Sequence, residues 1–371
     1  MAGWTFAAGG TPPSGGPSVA LSNARSKSVT MRLGPAQNHE ASFTIDGKDP
    51  QAASFTELQN DLWCFRSGWA VPVFQGRIAP VQDTLDASRH LASVTAMDYR
   101  AVLGRRRLFT GDTLAYTSVE QATIAWTLLN ATQGRAGGNL GIVRGLGAAT
   151  GIPRTLTFQT GDFIAADIVQ IAQMDSGFDW DISPYGTQDL RLDIWWPFRG
   201  EPRGVILEYG SPMVKMITRT TDPTTFADAL LVTGDPSGTL TPQQPEDPAI
   251  GTRPEGRWDQ IVGTTQLTAA GLASRAAFEL GAAEVLIPAY SIELAAGAWD
   301  GPGHIWLGDE VTVRIKSGRL MVNDLLRVTE LDIAIGDDGS ERVTLAAGAV
   351  PFRIGQAISA MLKQLRFLQA R

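Results

Sequence analysis

The sequence predicts a mainly β protein with an α+β insert and a C-terminal helix. Three observations carry this. Residues 306–347 are the cleanest β-run, with Val311, Val313 and Ile315 alternating with Thr312, Arg314 and Lys316, the period of a half-buried strand. Residues 19–105 show the same alternation in VTMRL (29–33) and ASFTI (41–45). Between them, residues 106–204 change period and carry two amphipathic helical stretches.

Residues 1–18 are rich in Gly, Pro and Ser, with Trp4 and Phe6 as isolated aromatics. That composition reads as a flexible arm, or as an arm that docks Trp4 on a neighbouring subunit. Residues 19–105 form the first β-region, with further strands expected at 56–65, 69–81 and 90–98. A short basic helical turn, YRAVLGRRR, ends it. Arg105, Arg106 and Arg107 are its one tight positive cluster, too small for a nucleic-acid site and better suited to a domain edge or a salt-bridged contact with an acidic neighbour.

In the insert, a helix is expected over 117–130, with Thr117 and Glu120 as a capping box. A glycine-rich loop follows, then a short strand at Leu156 and Phe158. Asp162 is expected to cap a second helix over 163–174. A hairpin turns at Pro184-Tyr185-Gly186. The second β-region spans 205–350. It holds strands at 214–220 and 230–233, a proline-rich loop over 234–257, a helix at 268–281 and a strand at 284–294. The closing meander includes a phase slip at Thr329-Glu330 that reads as a β-bulge and a Gly336-Asp337-Asp338-Gly339 hairpin tip. Residues 351–371 read as a terminal helix. Its seam of Ile354, Ile358, Met361, Leu365 and Leu368 is spaced four, three, four and three. Such a helix packs on its own domain or serves self-association.

The chemistry-bearing residues form no recognised constellation. His39, His90 and His304 lie far apart, without HExxH spacing. The single cysteine, Cys64, excludes an intramolecular disulfide and a Cys-based zinc cluster, and its LWCFR setting reads as a buried thiol. The glycine loop lacks the third glycine of the dinucleotide fingerprint and follows a helix rather than a strand. Asp179 and Asp181 flank Trp180. Paired acids beside an aromatic suit a sugar-hydrolysing site, but on an alternating strand they also read as a solvated face. Asp337 and Asp338 lack the further oxygens calcium needs. The net charge of -7 disfavours nonspecific nucleic-acid binding. No basic segment leads into an apolar run at the N-terminus, so no signal peptide is expected, nor is any stretch long enough for a membrane-spanning helix. No catalytic residue, cofactor or metal is assigned, and the chain is not expected to be an enzyme.

The stretch GRIAPVQDTLDASRHLASVTAMDYRAVLGRRRLF resembles the N-terminal part of minor tail, or tail hub, proteins of long-tailed bacteriophages of actinobacteria. The matching residues are Gly76, Arg77, Ile78, Asp98, Tyr99, Leu103 and Arg106. VKMITRTTDPTTFADALLVTGD resembles the segment that reopens the second β-region, and the run from Gly308 to Gly348 resembles the closing strands. The glycine-rich arm and the proline loop depart from the pattern.

The resemblance implies two barrel-like β tube domains flanking a small α+β domain. It implies a homotrimeric hub at the virion tail tip, made in the host cytoplasm, in contact with distal tail, tape-measure and other tip or fibre proteins. DNA would pass only through the lumen. The interface residues expected are Trp4 and the seam Ile354, Ile358, Met361, Leu365 and Leu368. The alternatives are a tail-associated cell-wall or glycan hydrolase, or a glycan-binding module for host attachment.

Overall fold

The computed structural model describes residues 3–348 except 35, 110, 112, 146–148, 175, 187–188, 222–225, 235–239, 253–255, 264–268, 284–287 and 302. Strand accounts for 48% and helix for 14%, so the chain is mainly β. The expected C-terminal helix, with Ile354, Ile358, Met361, Leu365 and Leu368, lies outside the described residues.

The first β-region opens with β1 (Trp4–Gly10), β2 (Pro17–Ala20), β3 (Arg25–Arg32), β4 (Glu40–Asp46), β5 (Asn60–Arg66), β6 (Phe74–Leu85) and β7 (His90–Met97), and ends in α1 (Tyr99–Leu103). The flexible arm expected over 1–18 is instead sheet. β1 lies between β2 and β5, with Trp4 opposite Arg66 and Gly10 opposite Asn60. Phe6, Ala7 and Ala8 are buried, so this small, unpatterned run is a core strand. Gly9 shifts the β1–β2 register, and a Cβ there would lie 2.0 Å from the Gly16 carbonyl oxygen. Only glycine fits so close a backbone approach.

The insert contains β8 (Leu114–Glu120), α2 (Gln121–Gln133), β9 (Ile142–Arg144), β10 (Pro153–Phe158), α3 (Ile164–Ala172), β11 (Asp179–Tyr185) and β12 (Asp189–Trp195). Both helix starts differ from expectation. Residues 114–120 pair with β10, which keeps Thr117 in a strand. The cap is Glu120, whose carboxylate accepts from the Ala122 and Thr123 N–H groups. Asp162 accepts from Gln159 N–H, and the cap position of α3 is Phe163, with no side-chain cap bond. Ile124, Leu128, Ile168 and Ile171 pack with Trp180 and Leu192 from the β11–β12 hairpin. Tyr99 and Leu103 of α1 belong to this same core. The basic turn is therefore part of the insert rather than the edge of the first β-region.

The remaining elements are β13 (Pro202–Glu208), β14 (Val214–Thr220), β15 (Ala229–Thr233), β16 (Asp259–Gly263), α4 (Ala269–Ala283), β17 (Ala289–Leu294), β18 (Glu310–Ser317), β19 (Leu320–Ile335) and β20 (Glu341–Gly348). Two compact units emerge. One comprises Met1–Ile217 with Ser291–Ala347, and the other is centred on Thr218–Tyr290. The second holds a parallel β15–β16 pair whose Leu230 and Val232 pack on Leu272 and Ala276 of α4.

The two β-regions are not separate closed barrels. Thirteen strands form one open sheet in the order β14-β17-β20-β19-β3-β4-β7-β6-β5-β1-β2, and β18 joins β13 to β19. The pairing of β19 with β3 brings together residues 302 apart in sequence, as in the Thr30–Asp332 hydrogen bond. At the phase slip expected as a bulge, Thr329-Glu330, β19 changes partner on one side. The first half of β19 pairs with β18 and the second half with β3, and neither ladder shifts register. Val328 and Leu331 are both buried because the strand changes partner between them.

Candidate functional site

The most concentrated chemistry lies where the first β-region, the insert and the closing strands meet. Asp98 follows β7, and its Oδ1 caps α1 through the Ala101 N–H. Its Oδ2 accepts from the His39 N–H and from Arg100 Nε, both at 2.9 Å. From the insert, Asp181 on β11 accepts from His39 Nε2 at 2.9 Å and from Arg199 at 2.8 Å. Arg100 Nε lies 3.6 Å from its other oxygen. The Arg32 N–H and Arg100 both donate to His39 Nδ1. That nitrogen therefore carries no proton, and the ring proton sits on Nε2, aimed at Asp181. Burial alone would raise the Asp181 carboxyl, but the His39 ring, Arg100 and Arg199 overcome it and hold the group well below the usual carboxylate range.

The junction continues into the closing strands. Asp179 accepts from the Arg199 N–H at 2.7 Å and pairs with Arg327, which also donates to the Arg199 carbonyl. Buried Asp309 accepts from Arg203 and from the N–H groups of Glu201 and Trp306. The backbones touch at Gly200 and Gly308, both at positive φ, where a Cβ on Gly200 would lie 2.0 Å from Gly308.

Asp179 and Asp181 do share a strand, but the expected solvated face is wrong. Asp181 is 1% exposed, and each acid is paired with an arginine. His39, Asp98 and Asp181 are close enough together to suggest a cation site. Their ligand atoms are already engaged by arginine and N–H donors, which fits an ion-pair core and leaves no free ligand set. Sequence spacing could not reveal it, because His39 lies 59 positions from Asp98 and 142 from Asp181.

The remaining candidate residues are dispersed. Trp4 is committed to its own chain, where its indole donates to Glu341, which also pairs with Arg66 at 2.8 Å. Cys64 is buried, and burial pushes its thiol up. Asp338 accepts from the Ser340 N–H within the exposed hairpin tip. His90 bonds Asp83 across its hairpin.

The residues that carry the resemblance have structural work. Arg77 pairs with buried Asp61 at 2.8 Å, and the Tyr99 hydroxyl donates to Asp61 at 2.6 Å. Gly76 admits the Met97 carbonyl, 2.3 Å from where a Cβ would sit.

The chain matches solved structures nearly end to end. The tail protein from Neisseria meningitidis superposes with a TM-score of 0.66 at 13% identity, covering 96% of this chain and 99% of that one. The 43 kDa tail protein of a Shewanella oneidensis prophage gives 0.65 at 13%, covering 94% and 98%. The chain shares the fold of these two tail proteins. An Escherichia coli component of the type VI secretion system, itself described as similar to T4 tail proteins, gives 0.50 at 12%, covering 90% and 74%. No family model and no curated protein matches the sequence. The buried junction holds this tail-protein fold together.

Proposed function

We propose that this chain is a structural virion protein that forms the hub at the distal end of a phage tail, joining the tail tube to tip or host-binding proteins. The carrying observation is the fold shared with two tail proteins across nearly the whole of each chain. Three copies would build a ring that matches a sixfold tube, since each chain brings two β-regions of related pattern. Closure of such a ring would cover the sheet edges at β2 and β14, which otherwise invite strand pairing. Its partners would be the distal tail, tape-measure and other tip or fibre proteins, with DNA only in transit. The seam Ile354, Ile358, Met361, Leu365 and Leu368 is proposed as a contact between copies.

The reading assigns no catalysis. The paired acids that would serve a glycan hydrolase are engaged by Arg199 and Arg327. A second reading, a component of a bacterial injection device, is favoured by the type VI secretion match. Sedimentation of the purified chain tests the assembly, with a trimer expected and a monomer at high concentration contrary to it. Peptidoglycan turnover that disappears in Asp179→Asn, Asp181→Asn would replace this reading with the hydrolase. Co-purification with a contractile secretion particle would favour the second reading.

A further inference from the structure

The extended run after α1 pairs with the residues that lead into α3. The Leu108 N–H donates to the Asp162 carbonyl, the Gly161 N–H donates to the Leu108 carbonyl, and Arg107 lies opposite Phe163. Leu108 is buried, so Arg107 and Phe109 point the other way, to the surface. There the Arg107 guanidinium lies 3.7 Å from the centre of the Phe163 ring, and Arg135 lies 4.5 Å from that of Phe109. The two rings stay 38% and 61% exposed. Exposed aromatics interleaved with arginine have the composition of an interface.

The sequence leaves room for an acidic neighbour beside Arg105, Arg106 and Arg107. Among the described residues, none of the three pairs with a carboxylate. Arg106 meets the opposite of an acid: burial first, and then the Arg77 charge, push its guanidinium down from its ordinary value. In a chain of net charge -7, three adjacent cations without acids are a local exception. Arg107 is also held ready. The Phe163 ring and the Gly161 carbonyl, to which it donates at 3.1 Å, fix its guanidinium. Its other N–H groups can make the forked bond that suits a carboxylate, and little side-chain freedom is lost when they do.

We propose that this face of the insert binds an acidic segment of another polypeptide, with carboxylates on Arg105 and Arg107 and an apolar side chain on the Phe109 ring. Charge complementarity carries the choice of partner. A long nucleic acid would meet the same arginines but also the repulsion of the acidic chain around them, so a short acidic stretch fits better. The inference stands whether or not the chain sits in a tail.

The test follows the fluorescence anisotropy of a labelled Glu-Glu-Leu-Glu-Glu peptide as the full chain is added. Binding should be saturable, should weaken as salt is raised, and should be absent for Gln-Gln-Leu-Gln-Gln. Arg105→Glu, Arg107→Glu should lower the affinity about tenfold, the worth of two exposed ion pairs. If that variant fails to fold, Arg105→Glu alone, at an exposed position, should lower it about threefold. No saturable binding of the acidic peptide overturns the proposal, as does equal binding of the glutamine peptide or an unchanged affinity in the variants. Tighter binding of an oligothymidylate of equal charge would make this a nucleic-acid surface and overturn the partner assignment.

Discussion

Asp181 shows how much one buried side chain holds here. It joins His39 from the first β-region to Arg199 from the insert and lies close to Arg100. Removing one partner of a buried pair leaves an uncompensated charge, costing about 3–5 kcal/mol. Asp181→Ala should lower stability by that order in denaturant unfolding. Because the folded carboxyl is held below its unfolded value of about 3.9, the contribution is complete above that pH and is lost as pH falls below it. Wild-type stability should therefore fall more steeply than that of Asp181→Asn below about pH 4.

Asp167 has the opposite sign. Burial first, and then the Asp162 charge, push its carboxyl up to about 7, and its Oδ2 has no hydrogen-bond partner. Folding therefore takes up a proton, and stability declines as pH rises from about 4 through 7. Asp167→Asn should raise the melting temperature at pH 8 and change it little at pH 5. An equal shift at both pH values would contradict the assignment.

At the scale of elements, the strands were legible where one face is wet. The alternation of β18 and of the second half of β19 survives in the folded chain as buried Val311, Val313, Ile315, Leu331, Ile333 and Ile335. β1 was not legible, because a strand buried on both faces, as residues 6–9 are, needs no alternation, and WTFAAGG reads like a linker. The start of α2 was misplaced because Thr117 and Glu120 have capping-box spacing, and only the pairing with β10 shows that Thr117 is extended. The junction was invisible for another reason. Asp179 and Asp181 look the same in sequence whether they face water or Arg327 and Arg199. Removing residues 1–10 tests the status of β1. It should expose the edges of β2 and β5 and give an aggregating or unfolded product, whereas loss of a flexible arm would leave solubility and melting unchanged.

At the scale of the molecule, the β3–β19 ladder makes the two β-regions one sheet. Residues 19–105 expressed alone would leave β3 without its β19 neighbour and Asp98 and His39 without Asp181. That fragment should not fold cooperatively, as judged by thermal unfolding and amide exchange. A stable, cooperatively folded fragment would contradict the single-sheet account.

The shared fold places the chain beside tail proteins of phages, and the proposed role is a ring at the distal end of a tail. The most direct measurement is electron microscopy of the intact particle with this chain located by labelling. The account predicts threefold density at the tail tip, with this fold fitted once per subunit. Particles that lack the chain, or that carry it away from the distal tube end, would contradict it.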